Sequence, residues 1–317
     1  MTSIVLERAR TLREYRLDTP VPHHDQVLLR VNHVCVRDQD LDSFYYGRGK
    51  LPRVFGSAMV ATVAEPATSE RVIPFIPGAE RPLAAGTRVV VVFDDSEDGG
   101  LREYAAVPAG RCLVLDETIA DSQLPMIPDL ALAAGTLGQL QASEGQSLIV
   151  LGARAAGLVL AMVAQEAGLN VVVVDPSQPR LRQASELGIE HLINPIAASL
   201  PEELDWFTGG RVDLMVDTSG DPEHMPAALA SLHAGSVLGL TEALDFPFNL
   251  QDVTERDISI LSLTDVEPDV EAAATIAATR DLSSLVSLSV PLIEIPAVVP
   301  SIVRERGTFL RLVGYLT

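Results

Sequence analysis

Lysine is almost missing from this sequence. Lys50 is the only one, and Lys plus Arg total 23 against 43 Asp plus Glu, a formal net charge of −20. A chain this acidic is expected to avoid nucleic acid and anionic membrane surfaces, leaving a small molecule as the natural partner. The lysine shortage fits a GC-rich coding sequence first and adaptation to high salt second. Cysteine is scarce too. Cys35 and Cys112 are too few for a disulfide framework or a four-thiolate zinc site, and both are expected to be buried thiols. No apolar run approaches the ~18–20 residues of a membrane span. Residues 1–15 carry charges where a signal peptide needs its apolar stretch, so a soluble cytoplasmic protein is expected. Internal repeats and low-complexity segments are absent.

What is present centres on residues 147–175, SLIVLGARAAGLVLAMVAQEAGLNVVVVD. Residues 148–151 form a short, wholly apolar run, as expected of a parallel strand buried on both faces. Gly152 ends it. Residues 156–167 are small and apolar all round, which suits a helix packed closely on a sheet. Gly168 and Asn170 close that helix. Residues 171–174 form a second buried strand that delivers Asp175, 23 residues after Gly152. A dinucleotide-binding βαβ unit places an acidic residue about 20 residues beyond its first glycine. The helix N-terminus then offers N–H groups and partial positive charge to a pyrophosphate, and the carboxylate accepts ribose hydroxyls. The fingerprint is G-x-G-x-x-G, here Gly152-Ala153-Arg154-Ala155-Ala156-Gly157. The middle glycine is Arg154, whose side chain either blocks the phosphate or swings aside and contacts it.

Residues 1–115 read as many short strands with turn signals, a small barrel-like β domain. Strands are expected at 27–31, 59–63, 72–76 and 88–93, then at 103–107 and 112–115. Asp38, Asp40 and Asp42 lack the glycine and closing glutamate of a calcium loop and read as a solvated acidic turn. Residues 44–49 read as an aromatic turn, 94–100 as an exposed acidic loop, and His23-His24 as a solvated turn. From about residue 121 the texture changes to alternating helices and strands, the signature of a parallel sheet with covering helices. Helices are expected at 180–187, 225–232 (closed by residues 233–235), 270–279 and 295–306. Strands are expected at 191–193, 212–216, 236–240, 258–263, 286–290 and 310–316. The domains implied are 1–121 with 281–317, and 122–280.

The order of these motifs resembles the medium-chain dehydrogenase/reductase superfamily, the alcohol dehydrogenase-like and quinone reductase-like enzymes. Ala85-Gly86-Thr87-Arg88-Val89-Val90 is similar to its "GDRV" strand. Gly99-Gly100-Leu101-Arg102-Glu103-Tyr104 with Val107-Pro108-Ala109 is similar to "GGFAEY…VPA". The nucleotide unit, Val216-Asp217-Thr218-Ser219-Gly220, the Ala234-Gly235-Ser236-Val237 turn and the tail from Pro291 to Ala297 complete the match. The resemblance implies an α/β protein: a GroES-like β-barrel domain plus a Rossmann doubly wound parallel-sheet domain, with the active site in the cleft between them. It implies cofactor contacts from Gly152, Arg154, Ala155, Ala156, Gly157, Asp175, Arg180, Thr218 and Ser219. It also implies departures. The position of the catalytic cysteine in "GxCxTD" is Arg37, with Cys35 two residues early. The "GHE" that supplies a histidine ligand is Gly56-Ser57-Ala58. The third-ligand region is Pro128-Asp129-Leu130, and one carboxylate does not hold zinc. The loop of four cysteines for structural zinc is replaced by residues 94–100, and Gln39 stands for the relay hydroxyl. No metal is expected.

The function expected is therefore a zinc-independent NAD(P)H oxidoreductase that reduces an activated C=C or C=O, with NAD(H) preferred through Asp175 and NADP(H) possible through Arg180 and Arg182. Arg37, Tyr45 and Tyr46 are the candidate catalytic groups, Tyr46 to protonate an enolate and Arg37 to bind a substrate anion. The alternative is a catalytically degenerate member that binds a ligand or partner. A homodimer is expected through residues 258–263, an apolar edge strand that in the resembling family pairs across a two-fold axis.

Overall fold

The computed structural model describes residues 1–67, 83–241, 246–305 and 307–316. The strand expected at 72–76 lies outside them. In chain order, the first part holds β1 (Thr2–Arg8), β2 (Thr11–Arg16), β3 (Gln26–Val36), α1 (Asp38–Tyr46), β4 (Arg53–Val54), β5 (Ala58–Glu65), β6 (Arg88–Val92), β7 (Tyr104–Pro108) and β8 (Leu113–Val114). The middle holds α2 (Ile127–Gln139), β9 (Ser147–Leu151), α3 (Ala155–Glu166), β10 (Asn170–Val174), α4 (Gln178–Glu186), β11 (His191–Ile193), α5 (Leu200–Thr208), β12 (Val212–Asp217), α6 (Met225–Ala230), β13 (Leu232–Leu240), α7 (Leu250–Glu255) and β14 (Ser259–Ser262). The tail holds α8 (Val270–Thr279), β15 (Val286–Pro291), α9 (Ile295–Arg304) and β16 (Arg311–Tyr315).

These elements form two compact units, Met1–Pro128 with Val270–Thr317, and Asp129–Asp269. Residues 122–128 and 270–280, placed with the nucleotide domain in the sequence reading, lie in the first unit. Its sheets run β2-β1-β4 and β15-β16-β3-β5-β6-β8, with β7 also paired to β3. The long strand β3 is the hub: it pairs antiparallel with β5, β7 and β16. Its alternate residues Val27, Leu29 and Val31 pack with Phe55, Met59, Val89, Val91, Leu101, Ile295 and Leu312 in one apolar core.

The second unit is one six-stranded sheet, β11-β10-β9-β12-β13-β14, parallel at every pairing. All of β9 and residues 171–174 of β10 are buried, as expected of inner parallel strands covered on both faces. Numbered within the unit, the order is 3-2-1-4-5-6, the doubly wound arrangement. The order reverses between β9 and β12, so a crevice opens at their carboxyl ends, beside Gly152 and Thr218. The edge strand β14 leaves Ile260 and Leu261 half-exposed.

Several local expectations are corrected. Residues 44–46 belong to the last turn of α1, not to an aromatic turn. Residues 233–235 lie inside β13 instead of closing a helix. The acidic loop at 94–100 is tied down: the Asp95 carboxylate accepts from Arg53 Nη2 at 2.5 Å and Ser43 Oγ at 2.9 Å. Glu97 accepts from Arg111 at 2.7 Å, and Asp98 accepts the Val54 N–H at 2.8 Å. Those partners are 14 to 52 residues away in sequence, so local composition showed the charge without its neutralisation.

Candidate functional site

The second unit builds its site at the end of β9. Gly152 takes φ +102°, a conformation that side-chain-bearing residues rarely adopt, and turns the chain from strand to helix. Gly157 sits where α3 crosses that turn. A Cβ there would lie 2.0 Å from the Gly152 carbonyl oxygen and 2.7 Å from Thr218 Oγ1. Only glycine lets the helix approach so closely. No side chain caps α3, and its first helical bond runs from the Leu158 N–H to the Arg154 carbonyl at 2.9 Å. The N–H groups of Ala155, Ala156 and Gly157 therefore precede any intrahelical acceptor and open toward the crevice, carrying the positive end of a twelve-residue helix dipole. Arg154 is the N-cap, with extended backbone at φ −86° and ψ 178°. That conformation is open to any residue, so the turn does not require glycine at the middle position.

Asp175 differs from expectation. It is 2% exposed, and its carboxylate faces its own chain. Oδ2 accepts the Ala153 N–H at 2.8 Å and lies 3.5 Å from Arg180, while Oδ1 accepts the Ser177 N–H at 2.7 Å. It staples the β9–α3 turn to the β10–α4 turn, leaving little lone-pair capacity for a ribose. Thr218 is also committed: its hydroxyl donates to the Leu151 carbonyl at 2.9 Å. Ser219 donates its N–H and Oγ to Asp217 at 2.9 and 2.6 Å. Asp217 is buried at the end of β12, and desolvation pushes its carboxyl above the usual range. Sequence reasoning quoted it within a motif but assigned it nothing, since burial at a strand end leaves no local signature.

The first unit collects the positions at which a metal was considered. Arg37 caps α1, directly after β3. Asp40 is fully buried, and its Oδ2 accepts from the Arg37 N–H at 2.8 Å, the Ser57 N–H at 3.1 Å and Ser57 Oγ at 2.8 Å. Asp40 Oδ1 has no hydrogen-bond partner. Desolvation raises the Asp40 pKa, opposed by these donors and by the Arg53 charge. Asp42 is also buried, and the buried Arg311 guanidinium lies 4.0 Å from Asp38. The acidic triplet is thus an internal network, not a solvated turn. Alternation of Asp in sequence could not reveal this, because Arg53, Ser57 and Arg311 arrive from other parts of the chain.

The structure brings positions 37 and 57 together through Asp40. The donors there do not fit zinc: a guanidinium cannot ligate it, and Ser57 is bonded to Asp40. Asp129, in α2, belongs to the other unit. Among the described residues, the one cluster of three metal-type donors is Asp221, Glu223 and His224, in the surface turn after β12. Tyr45 and Tyr46 do not join Arg37. They lie at the opposite end of α1, eight and nine residues on, roughly 12 Å along the axis. Arg10 covers the Tyr45 ring at 4.1 Å and Arg48 the Tyr46 ring at 5.0 Å. Cys35 and Cys112 are buried and form no disulfide, and burial pushes the Cys112 thiol up to about 12.

The parallel sheet and its glycine crossing form a Rossmann-type unit, joined in one chain to a GroES-like β unit. Residues 155–278 match the family described as zinc-binding dehydrogenase. That span contains none of positions 37, 57 and 58. The chain is 23% identical to an uncharacterized zinc-type alcohol dehydrogenase-like protein of Haemophilus influenzae, covering 98% of this chain and 97% of that protein. It is 29% identical to the starvation-sensing protein RspB of Escherichia coli K12, over 83% of each. Its fold matches that of the short chain alcohol dehydrogenase RspB of Escherichia coli CFT073, solved with its cofactor NADH, at a TM-score of 0.82, 21% identity and coverage of 100% and 99%. The chain is thus similar, in sequence and in fold, to dehydrogenases of the medium-chain dehydrogenase/reductase superfamily.

Proposed function

We propose that this protein is a zinc-independent oxidoreductase that uses NAD(H) to reduce an activated C=C or C=O bond of a small organic substrate. The observation that carries the nicotinamide reading is the meeting of Gly152 and Gly157 under an uncapped helix N-terminus at the switch point of the sheet. The residues fit a pyrophosphate: three N–H groups with no intrahelical acceptor, and no carboxylate of α3 in its first turn. A bound nicotinamide supplies the hydride chemistry itself, as such cofactors do.

The chain's own contributions follow from what its residues can do. Ala155, Ala156 and Gly157 hold phosphate oxygens through main-chain N–H groups. Asp175 fixes the turn that presents them, and its charge disfavours a 2′-phosphate, with Arg180 partly offsetting that repulsion. Arg37 stands where zinc-dependent relatives carry a ligand, and its guanidinium meets negative charge developing on the substrate. Its backbone is pinned by Asp40, which keeps it in place. Tyr45 and Tyr46 remain assigned by family position; their cover by Arg10 and Arg48 supports packing as their role.

Titration with NADH and NADPH, read on the emission of the reduced nicotinamide, tests the proposal. Trp206 is a poor reporter because it stands 80% exposed on α5. Binding of NADH with lower affinity for NADPH is expected. Tighter binding of NADPH would remove the preference assigned to Asp175, and binding of neither would remove the nicotinamide reading. Arg37→Ala should lower kcat/KM for an enone or quinone substrate by about 10- to 100-fold without changing NADH affinity, the range expected when one charged hydrogen bond is lost.

A further inference from the structure

The second unit contains five arginines and no lysine: Arg154, Arg180, Arg182, Arg211 and Arg256. Arg180 lies 3.5 Å from Asp175 and Arg211 lies 3.4 Å from Asp213. Arg256 donates to the Leu229 carbonyl at 3.0 Å. Arg182 points into solvent. Arg154 alone is half-buried with no side-chain hydrogen bond or ion pair among the described residues. A guanidinium left without a protein partner is available to an outside anion. Its position is unfavourable for a cation alone, because the N-cap of a twelve-residue helix already carries partial positive charge. Three main-chain N–H groups open at the same place. Cation, dipole and N–H groups together lack one thing, an anion.

The backbone explains how a side chain is accommodated there. Residue 154 takes an ordinary extended conformation. Gly152 supplies the left-handed turn, and Gly157 supplies the close crossing. The middle position of the fingerprint is thus the one at which a Cβ strains nothing in the chain itself. The surrounding charge gives a reason for a cation: Asp175 and Asp217 end the two strands that flank β9, and the whole chain stands at −20. A dinucleotide bearing two phosphate charges meets repulsion from all of these.

We propose that Arg154 is a ligand-binding residue that pairs with the pyrophosphate of the dinucleotide, taking over by charge the contact that a middle glycine gives by close approach. The proposal rests on the nicotinamide reading above and deepens it. NADH and ADP-ribose, which share the pyrophosphate, should each bind Arg154→Ala and Arg154→Gly about 10- to 100-fold more weakly than wild type, the loss expected for a charge-assisted hydrogen bond. Adenosine, which has no phosphate, should compete equally well in all three proteins. Arg154→Lys should recover most of the lost affinity. Ligand-free melting temperatures should be unchanged, since Arg154 makes no capping bond that its removal could break. If wild type binds NADH and ADP-ribose while Arg154→Gly binds them equally or more tightly, this proposal is overturned and the nicotinamide reading stands. If wild type binds neither, both are overturned. If Arg154→Lys is as weak as Arg154→Ala, or adenosine weakens in parallel with NADH, the effect is one of shape rather than charge and the pairing is overturned.

Discussion

Asp40 shows how much one residue depends on its surroundings. Its carboxyl is buried among donors from Arg37 and Ser57 and titrates above the ordinary range because desolvation outweighs those donors. Between the ordinary and the raised value, the folded chain therefore holds a proton that the unfolded chain has already released. Stability from this group is present below the ordinary carboxylate pKa and is lost as pH rises through the raised folded value. Asp40→Asn keeps an oxygen for the same three donors and removes the ionisation. Its melting temperature should exceed that of wild type at about pH 8, and the gap should close toward about pH 4. A deficit at every pH would mean that the carboxylate is ionised and held by Arg53. Gly157 makes a second residue-scale prediction. Gly157→Ala forces a Cβ against the Gly152 carbonyl, so it should destabilise by about 1–3 kcal/mol, the usual cost of overpacking. It should also weaken NADH binding, because α3 must move off the turn; denaturant unfolding and NADH titration on the same variant check both.

Among the elements, β14 carries the prediction on assembly. It is the outer strand of the parallel sheet, pairing among the described residues only with β13. Its outer edge presents main-chain groups and the half-exposed Ile260 and Leu261, a surface that invites another strand. We expect a homodimer through this edge. Leu261→Lys, which puts a charge on the edge strand and leaves the core-packed Ile260 in place, should convert it to monomer in light scattering while leaving NADH affinity unchanged. Wild type that is monomeric at micromolar concentration would contradict the expectation. The network at α1 operates at the same scale. Asp95 joins Ser43 of α1 to Arg53 of β4, and Asp40 joins α1 to Ser57. A loop that reads as surface acid thus anchors the helix that carries Arg37.

For the whole molecule, the departures at positions 37, 57 and 58 bear on metal content. The purified protein is expected to contain no stoichiometric zinc, and elemental analysis showing about one tightly bound zinc per chain would refute this. No helix among the described residues is long and apolar enough to cross a membrane.

The sequence by itself determined the elements whose signal is local. β9, α3 and β10 were legible because burial on both faces of a parallel sheet demands unbroken apolar runs, and because a strand-to-helix turn demands Gly152. The order of these pieces was enough to indicate both kinds of fold, and Arg154 was visible as an exception to its fingerprint. Tertiary structure alone decided what the charged residues do. Whether Asp40 is solvated, whether Asp175 faces a ligand or its own chain, and whether Arg154 has a partner all depend on groups brought from other strands. Arg37 and Tyr46 looked like one catalytic set because nine residues are close in sequence, but a helix keeps the two ends of such a span apart. Charge is written residue by residue; its neutralisation is a property of contacts, and contacts exist only once the sheets have formed.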